Sequence, residues 1–259
     1  VGQECQRCFW FKYNGFEDPN LKDDQAIQRL KDGEEVGERI KDTFPDGVDI
    51  PFLKGNYQEM HDLTQEAIKN RAMVIFEGSF YIDGVFVRVD IMNKTSNGWD
   101  IFEVKSSSSL KEVHIEDASI QWFVLNQIED LKLNDIYVIT LDKDYKRKNQ
   151  LDLNSVFDRH LLTEEVKSKQ IEISQTLSGL KEITLMDSPP KERISGHQNK
   201  NQKCSFKDYC WPKEKDDINS VFKLYRMQSK KKFKLYDQGI DTFEKIENIS
   251  EYSNIQQIQ

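Results

Sequence analysis

The chain contains 259 residues, with 37 lysines and arginines against 45 aspartates and glutamates, which gives a formal net charge of −8. This length suits one large domain or two small ones, and the acidic balance argues against a protein that binds nucleic acid by bulk positive charge. No apolar run approaches the roughly 20 residues of a membrane-spanning helix, and no basic and apolar leader is visible, so we expect a cytoplasmic protein. Because the first residue is Val1 rather than methionine, the chain is also a candidate fragment of a larger protein.

The first part of the chain is predicted to be helical. Residues 23–43 combine charged residues with apolar ones at the spacing of an amphipathic helix, which we expect to break near Gly33. Prolines and a glycine between residues 45 and 51 mark a loop. Residues 57–70 favour a second helix.

The middle of the chain is predicted to contain three strands joined by hairpins. Residues 74–82 hold two short apolar runs, and residues 85–91 alternate apolar and other side chains with the period of a strand. Turns are expected at residues 83–84 and 97–98, because Asp-Gly and Asn-Gly pairs favour two-residue hairpin turns. Residues 99–104 then form the third strand.

The remaining pattern predicts an α/β fold. Residues 112–130 favour a helix, residues 136–141 a buried strand, and residues 154–178 another helix. Three strands in hairpins, followed by a helix and a further strand, predict a central mixed β-sheet flanked by helices. The predicted domains are an N-terminal cysteine segment, a core, a C-terminal cysteine segment and a helical tail, at residues 1–22, 23–190, 191–215 and 216–259.

Two carboxylates and a lysine are predicted to share one end of this sheet. Asp90 ends the second strand, and Glu103 and Lys105 end the third, where residues two apart point to the same side. A tight hairpin would bring Asp90 beside Glu103. The two carboxylates and the Val104 carbonyl form an oxygen-rich site that suits Mg²⁺ or Mn²⁺. Such a metal activates water and offsets phosphate charge, and the lysine can orient that water, so the predicted chemistry is phosphodiester hydrolysis.

A Glu-x-Lys tripeptide also occurs easily by chance in a chain with 32% charged residues. The same Glu-Val-Lys order recurs at residues 165–167, where we expect an exposed helical face. The tripeptide at residues 103–105 differs because it follows an apolar strand, because Asp90 ends the preceding strand, and because serines occupy residues 106–109. We therefore expect the catalytic tripeptide at residues 103–105 rather than at residues 165–167, with Asp90, Glu103 and Val104 as the predicted metal ligands.

These residues, taken in order, resemble the PD-(D/E)XK nuclease superfamily, in its RecB-like branch with cysteine-bound clusters. Residues 88–91 (Arg-Val-Asp-Ile) resemble the acidic motif, and residues 102–106 (Phe-Glu-Val-Lys-Ser) resemble the E-x-K motif. Residues 117–121 (Asp-Ala-Ser-Ile-Gln) resemble the glutamine-bearing helix downstream. The resemblance implies a restriction-endonuclease-like fold in which Gln121 lies near the metal and helps to position the scissile strand.

Two positions depart from the pattern of that branch. Gly37 stands where many members carry a histidine ligand, and Leu125 stands where many carry a tyrosine. Glu77 is a candidate to supply the missing ligand or to orient the other ligands, and the alternative is an ordinary charge at a strand end. The departures raise a second hypothesis, a degenerate nuclease fold that binds nucleic acid or a protein partner without cutting.

The four cysteines lie in two pairs, at Cys5 and Cys8 and at Cys204 and Cys210. They are too few for a disulfide scaffold, and their paired spacing favours a metal site. Four thiolates suit a [4Fe–4S] cluster or a tetrahedral Zn²⁺, and spacing alone does not separate the two. The pairs resemble the cysteines of CRISPR-associated and AddAB-type iron–sulfur nucleases, which implies a cluster that joins the two segments. Those proteins place one cysteine before the core and three after it, whereas this chain has two on each side.

Two basic runs are candidate nucleic-acid contacts, although a solvated loop and a solvated helix end are the alternative. The residues proposed to track a phosphate backbone are Lys146, Arg147, Lys148, Lys231 and Lys232. The sequence thus predicts a metal-dependent nuclease for single-stranded or end-exposed DNA, with no membrane contact. Further domains or a helicase-like partner are an additional expectation.

Overall fold

The central element of the fold is a six-stranded sheet whose strands lie in the order of their appearance in the chain. The structure is a computed structural model that describes residues 5–17, 24–44, 46–146, 152–153, 155–190, 206–210, 218–248, 250 and 252–258. The chain divides into two compact units, one of residues 24–177 and the other of residues 1–23 and 178–259. The sheet belongs to the unit of residues 24–177.

The described helices precede, interrupt and follow the strands. The helices are α1 (Gln6–Tyr13), α2 (Asp24–Lys41), α3 (Tyr57–Lys69), α4 (Glu112–Leu125), α5 (Thr163–Ser168), α6 (Gln170–Thr184), α7 (Lys207–Cys210), α8 (Ser229–Asp237) and α9 (Asn254–Ile258). The strands are β1 (Val48–Asp49), β2 (Val74–Ile82), β3 (Val85–Lys94), β4 (Trp99–Val104), β5 (Leu133–Leu141) and β6 (Phe157–Leu161).

The sheet is mixed, as the sequence pattern predicts. Strands β2, β3 and β4 form an antiparallel meander, while β1 pairs in parallel with β2 and β4 pairs in parallel with β5. Helix α4 makes the crossover that a parallel pair requires, and β6 closes the far edge antiparallel to β5. The prediction of an α/β fold with a mixed sheet flanked by helices is confirmed.

Both predicted hairpin turns contain the expected glycine pairs, but the second is a four-residue loop, residues 95–98, rather than a two-residue turn. Asp83 and Gly84 have φ values of 53° and 81° between the paired residues Ile82 and Val85, which is the positive-φ pair of a type I′ turn. In the next turn, the Thr95 N–H donates to the Gly98 carbonyl at 2.8 Å. These two turns set the register of the meander.

Two helix predictions are wrong in their bounds. Helix α2 continues through Gly33 without the expected break, because a glycine inside a helix costs only about 1 kcal/mol. The helix predicted over residues 154–178 begins instead at Thr163, and Phe157–Leu161 form β6. The open edge of β5 offers backbone hydrogen bonds that outweigh the weak local preference of this segment.

Two apolar clusters pack against the sheet of this unit. Ile101 of β4 belongs to the cluster that includes residues of α3 and α4, and its neighbour Phe102 belongs to the cluster that includes Ile40 of α2. Adjacent residues of a strand point to opposite faces, so α2 and the pair α3 and α4 cover different faces. The Phe102 ring lies 5.2 Å from that of Phe44, just after α2.

The other unit has its own apolar cluster around α1. The rings of Phe11 and Phe206 stack with centroids 5.3 Å apart, and the Trp10 Nε1–H donates to the Met186 carbonyl at 2.9 Å. Within the described ranges, no helix combines the length and the apolar character needed to cross a lipid bilayer.

Candidate active site

Three carboxylates lie in one row across the meander. Asp90 of β3 lies opposite Glu77 of β2, because the residues on either side of Asp90 pair with those on either side of Glu77. One step beyond the last β3–β4 pair, Asp90 also lies opposite Glu103 of β4. The hairpin therefore brings Asp90 beside Glu103 at the same level of the sheet.

Glu103 is the most closely contacted of these carboxylates. Its Oε1 lies 2.6 Å from the Lys105 ammonium, and its Oε2 accepts a 2.5 Å hydrogen bond from Gln121 Nε2. The side chains of Glu103 and Gln121 are both nearly buried, at 8% and 7% exposure, so these bonds replace water. Gln121 thus fixes the carboxylate from the side of α4.

Lys105 bridges two acidic groups. Besides Glu103, its ammonium donates to Asp117 Oδ2 at 2.8 Å. Burial by itself would lower the pKa of Lys105, but the charges of Glu103 and Asp117 outweigh that effect and the pKa is raised above its ordinary value. The lysine is therefore a fixed positive charge at neutral pH.

Asp90 is held from the backbone of the next strand. Its Oδ2 accepts a 2.6 Å hydrogen bond from the Val104 N–H. Burial of the carboxyl group and, next in effect, the charge of Glu103 raise the pKa of Asp90 well above its ordinary value, and the Val104 N–H offsets part of that rise. The site therefore places a carboxylate where its negative charge is disfavoured.

Glu77 occupies a strained position in β2. Its φ of +58° lies in the left-handed region, which costs a residue with a Cβ about 1–3 kcal/mol and is typical of functional sites. Its carboxylate lies 3.2 Å from Arg88 Nε and 4.0 Å from Lys41 Nζ. Burial raises the pKa of Glu77, and the charges of Arg88 and Lys41 oppose this rise.

An open cleft of about 410 Å³ lies between α2 and two carboxylates of this row, Glu77 and Asp90, while Glu103 does not line it. Asp90, Val104 and Lys105 line it from the sheet, while Gly33 and Gly37 line it from α2. A Cβ built on either glycine would meet no atom within 4 Å. The two glycines, one helical turn apart, thus leave room above the carboxylates.

The donor set fits a hard divalent cation. The repulsion between Asp90 and Glu103 is the kind of unfavourable charge that a bound cation relieves, and the oxygens of Asp90, Glu103 and Val104 are the ligand type that Mg²⁺ and Mn²⁺ prefer. Among the described residues, no group of three or more histidines, cysteines, aspartates or glutamates is arranged to hold a metal. Water would therefore complete the coordination, as is usual for Mg²⁺.

Introducing a histidine at Gly37 is expected to tighten Mn²⁺ binding. The position lines the same cleft as Asp90 and has open space for a side chain, and an added imidazole favours a transition metal over Mg²⁺. We expect Gly37→His to lower the Mn²⁺ dissociation constant about tenfold, measured by calorimetry without nucleic acid. Gly37→Ala is the matched control, because it shares the gain in helix propensity. Equal Mn²⁺ affinity in the two variants would contradict the prediction that a metal binds at Asp90 in this cleft.

Three of the four cysteines lie in one cluster of the unit that contains α1. Cys8 and Cys210 are buried, and Cys5 is partly buried against the same apolar cluster. Cys204 lies outside the described residues. The part of the chain that the structure describes contains no group of side chains set to hold a metal, so the four-cysteine site stays a prediction.

The predicted nucleic-acid contacts differ in their surroundings. Lys146 and Lys231 are exposed in different units, and Arg147 and Lys148 lie outside the described residues. The Lys232 ammonium donates to the Phe222 carbonyl at 2.8 Å, and burial lowers the pKa of Lys232. Its amine is thus engaged within the protein.

The structure adds residues that the motif analysis did not assign. Asp117 holds Lys105, and Arg88 and Lys41 flank Glu77. The sequence could have indicated Asp117, because it precedes Gln121 by four residues and so lies on the same helix face. It could not have indicated Lys41, because the approach of Lys41 to Glu77 depends on how α2 packs on the sheet.

In the comparisons with known proteins, no family model matches the chain and no curated protein matches it in sequence.

Proposed function

We propose that the protein is a divalent-metal-dependent nuclease that hydrolyses the phosphodiester bonds of single-stranded or end-exposed DNA. The observation that supports this most directly is the position of Asp90, Val104 and Lys105 on one wall of an open cleft, with Glu103 in contact with Lys105. Two carboxylates, a carbonyl and a lysine are the groups that metal-assisted phosphodiester hydrolysis needs.

Each residue has a role that follows from its contacts. Asp90, Glu103 and the Val104 carbonyl would hold Mg²⁺ or Mn²⁺, which supplies positive charge and a water of lowered pKa. Lys105 faces the cleft, so its ammonium orients the attacking water or offsets charge that develops on the phosphate. Gln121 keeps Glu103 in place through its hydrogen bond.

Asp117 gives Lys105 a second partner. In the structure the ammonium is shared between Glu103 and Asp117, at 2.6 and 2.8 Å. When Glu103 serves as a metal ligand, Asp117 still pairs with the ammonium and holds it beside the cleft. The lysine can thus give up Glu103 without becoming a buried charge with no counterion.

The test is a cleavage assay with purified full-length chain. Labelled single- and double-stranded DNA and RNA are incubated with Mg²⁺, Mn²⁺ or EDTA, and wild type is compared with Asp90→Ala. We expect cleavage of DNA by wild type in either metal, none in EDTA, and none by the variant. Equal cleavage by both proteins would place the active site elsewhere, and a folded wild type that cuts no substrate would contradict the nuclease.

The second candidate function is a binding module that has lost cleavage. Gly37 leaves the cleft without an imidazole, and Leu125 is fully buried in the apolar core, so neither position offers the polar side chain that the resemblance implies. Retained binding of DNA without cleavage in any divalent metal would favour this function over the first.

The four cysteines are proposed to hold a [4Fe–4S] cluster, with Zn²⁺ as the alternative. Cys5, Cys8 and Cys210 pack in the same apolar cluster, but within the described residues they do not form a group set to hold a metal. The proposal therefore rests on the resemblance, and the role of the site would be to join two distant segments of the chain. Iron, sulfide and zinc are measured in wild type purified without oxygen, with Cys8→Ser as the control. Iron with sulfide, or zinc alone, would identify the occupant, and wild type without either metal would contradict the site.

A further inference from the structure

A second large cleft lies in the unit of residues 178–259, distant in sequence from the carboxylates. It has a volume of about 840 Å³ and is lined by the segment before α8, by α8 itself and by the region of α9. This volume is in the range of pockets that hold drug-sized ligands, ~300–1,000 Å³. Its described lining includes Lys231, one of the predicted nucleic-acid contacts, but no residue assigned to the metal or to catalysis.

The charge of this cleft is opposite to that of the chain. Arg226, Lys231 and Lys234 line it, and none of the described residues that line it is acidic. Between residues 225 and 238 the sequence has five cations and one carboxylate, in a chain of net charge −8. The cleft is therefore a local site for an anion on an otherwise acidic protein.

The four lysines of helix α8 lie in different environments. Lys231 and Lys234, three residues apart, share the face that lines the cleft, and both are exposed. Lys232 points into the protein and donates to the Phe222 carbonyl at 2.8 Å. Lys230 is exposed but does not line the cleft. The basic run is thus a pair of lysines directed at one pocket rather than a uniformly solvated helix end.

Planar side chains accompany the cations. Tyr225 and Tyr252 both line the cleft, and the Arg226 guanidinium lies 5.1 Å from the Tyr225 ring centroid. Arg226 has a φ of +50°, an unfavourable conformation for an arginine that the surrounding structure maintains. Gln256, also in the lining, donates to the Tyr225 carbonyl at 2.6 Å, which ties α9 to this wall. Aromatic and guanidinium planes of this kind stack nucleobases.

We infer that this cleft binds a segment of single-stranded nucleic acid, with Lys231 and Lys234 on the phosphates and Tyr225 against a base. An acidic peptide would satisfy the lysines but need not bring a planar group to Tyr225, which is 44% exposed. A strand of nucleic acid supplies both groups at every nucleotide, phosphate and exposed base. This inference stands apart from the proposed nuclease, because binding here needs neither the metal nor Asp90.

The test is fluorescence anisotropy of a labelled oligothymidine of about 12 nucleotides, with the full-length chain in EDTA so that no cleavage occurs. Lys231→Glu is compared with Lys230→Glu, which has the same formal charge and lies on the same helix. We expect Lys231→Glu to raise the dissociation constant about tenfold and to flatten its salt dependence, while Lys230→Glu stays close to wild type. Equal losses in the two variants, or no loss in Lys231→Glu, would overturn the inference.

A second probe tests the base contact. An oligonucleotide of the same length made of abasic nucleotides is expected to bind wild type about tenfold more weakly, and Tyr225→Ala is expected to abolish that difference. Equal binding of the two probes by wild type would show a site for charge alone and would overturn the stacking part. If Tyr225→Ala fails to fold by circular dichroism, the pair of lysine variants decides. Both probes are read in EDTA, so the outcome does not depend on whether the protein cuts DNA, which separates this test from that of the proposed active site.

Discussion

Replacing Asp90 by asparagine is expected to abolish cleavage and, at the same time, to stabilise the metal-free protein. The asparagine oxygen can still accept the hydrogen bond from the Val104 N–H, but it carries no negative charge beside Glu103. Loss of one metal ligand should lower the cleavage rate by about 10²–10³-fold or more. The stability gain should be about 0.5–2 kcal/mol, as is common when a functional residue is replaced by a locally preferred one.

The pH dependence of this gain follows from the raised pKa of Asp90. A carboxyl group whose pKa is higher in the folded state than in the unfolded state binds its proton more tightly when folded, so the contribution of Asp90 to the stability of wild type is most favourable below the ordinary pKa of an aspartate. That contribution is lost as the pH rises through the raised pKa. Asp90→Asn lacks this titration, so the difference between the two proteins should grow from acidic to neutral pH.

Thermal unfolding in EDTA and in Mn²⁺ measures both effects. In EDTA at neutral pH the variant should melt a few degrees above wild type, since 1 kcal/mol corresponds to about 2–4 °C for a domain of this size. With Mn²⁺ at about 100 times its dissociation constant, wild type should gain about 2.7 kcal/mol and the variant much less. A metal response in Asp90→Asn equal to that of wild type would remove Asp90 from the ligand set.

Lys105→Ala is the second change with a large expected effect. It removes the ammonium beside Glu103 and Asp117, so cleavage should fall by about 10²–10⁴-fold. Metal binding should be retained or become tighter, because the remaining carboxylates lose their positive counterion. Single-turnover kinetics measures the cleavage rate, and calorimetry with Mn²⁺ measures the metal affinity separately.

Lys167→Ala is the matched control, because it alters the other Glu-Val-Lys sequence of the chain. Lys167 lies on α5 at 49% side-chain exposure, 3.2 Å from Glu164, and such surface pairs contribute little to stability. The variant should cleave like wild type. If Lys105→Ala retained wild-type cleavage, or if both lysine variants lost it equally, the assignment of the lysine would be wrong.

The fold was predictable where it depends on local sequence patterns. Alternating residues and the glycines at positions 84 and 98 define the meander, and the crossover helix before β5 follows from a single helical segment. Strand β6 was not predictable, because Phe157–Leu161 has no strand signature and owes its conformation to the exposed edge of β5. The continuity of α2 through Gly33 was missed for a different reason, because a single glycine costs too little to break a helix.

The candidate site was predictable to the extent that it lies on one hairpin. The prediction that Asp90, Glu103 and Lys105 lie close together requires only the register of β3 and β4. The resemblance implied only that Gln121 lies near the metal, not that it bonds to Glu103, and nothing in the sequence implied the contact between Lys41 and Glu77. Each contact joins a helix to a strand, and no local spacing determines such distances.

The carboxylate row also bears on how the protein folds. Glu77, Asp90 and Glu103 belong to three consecutive strands whose pairing closes only short loops, and such contacts form with little entropic cost. Pairing of these three strands is therefore expected to bring like charges together during folding. The partners from α4, Gln121 and Asp117, add no positive charge to the row. A divalent cation should consequently speed refolding itself, in addition to stabilising the finished structure.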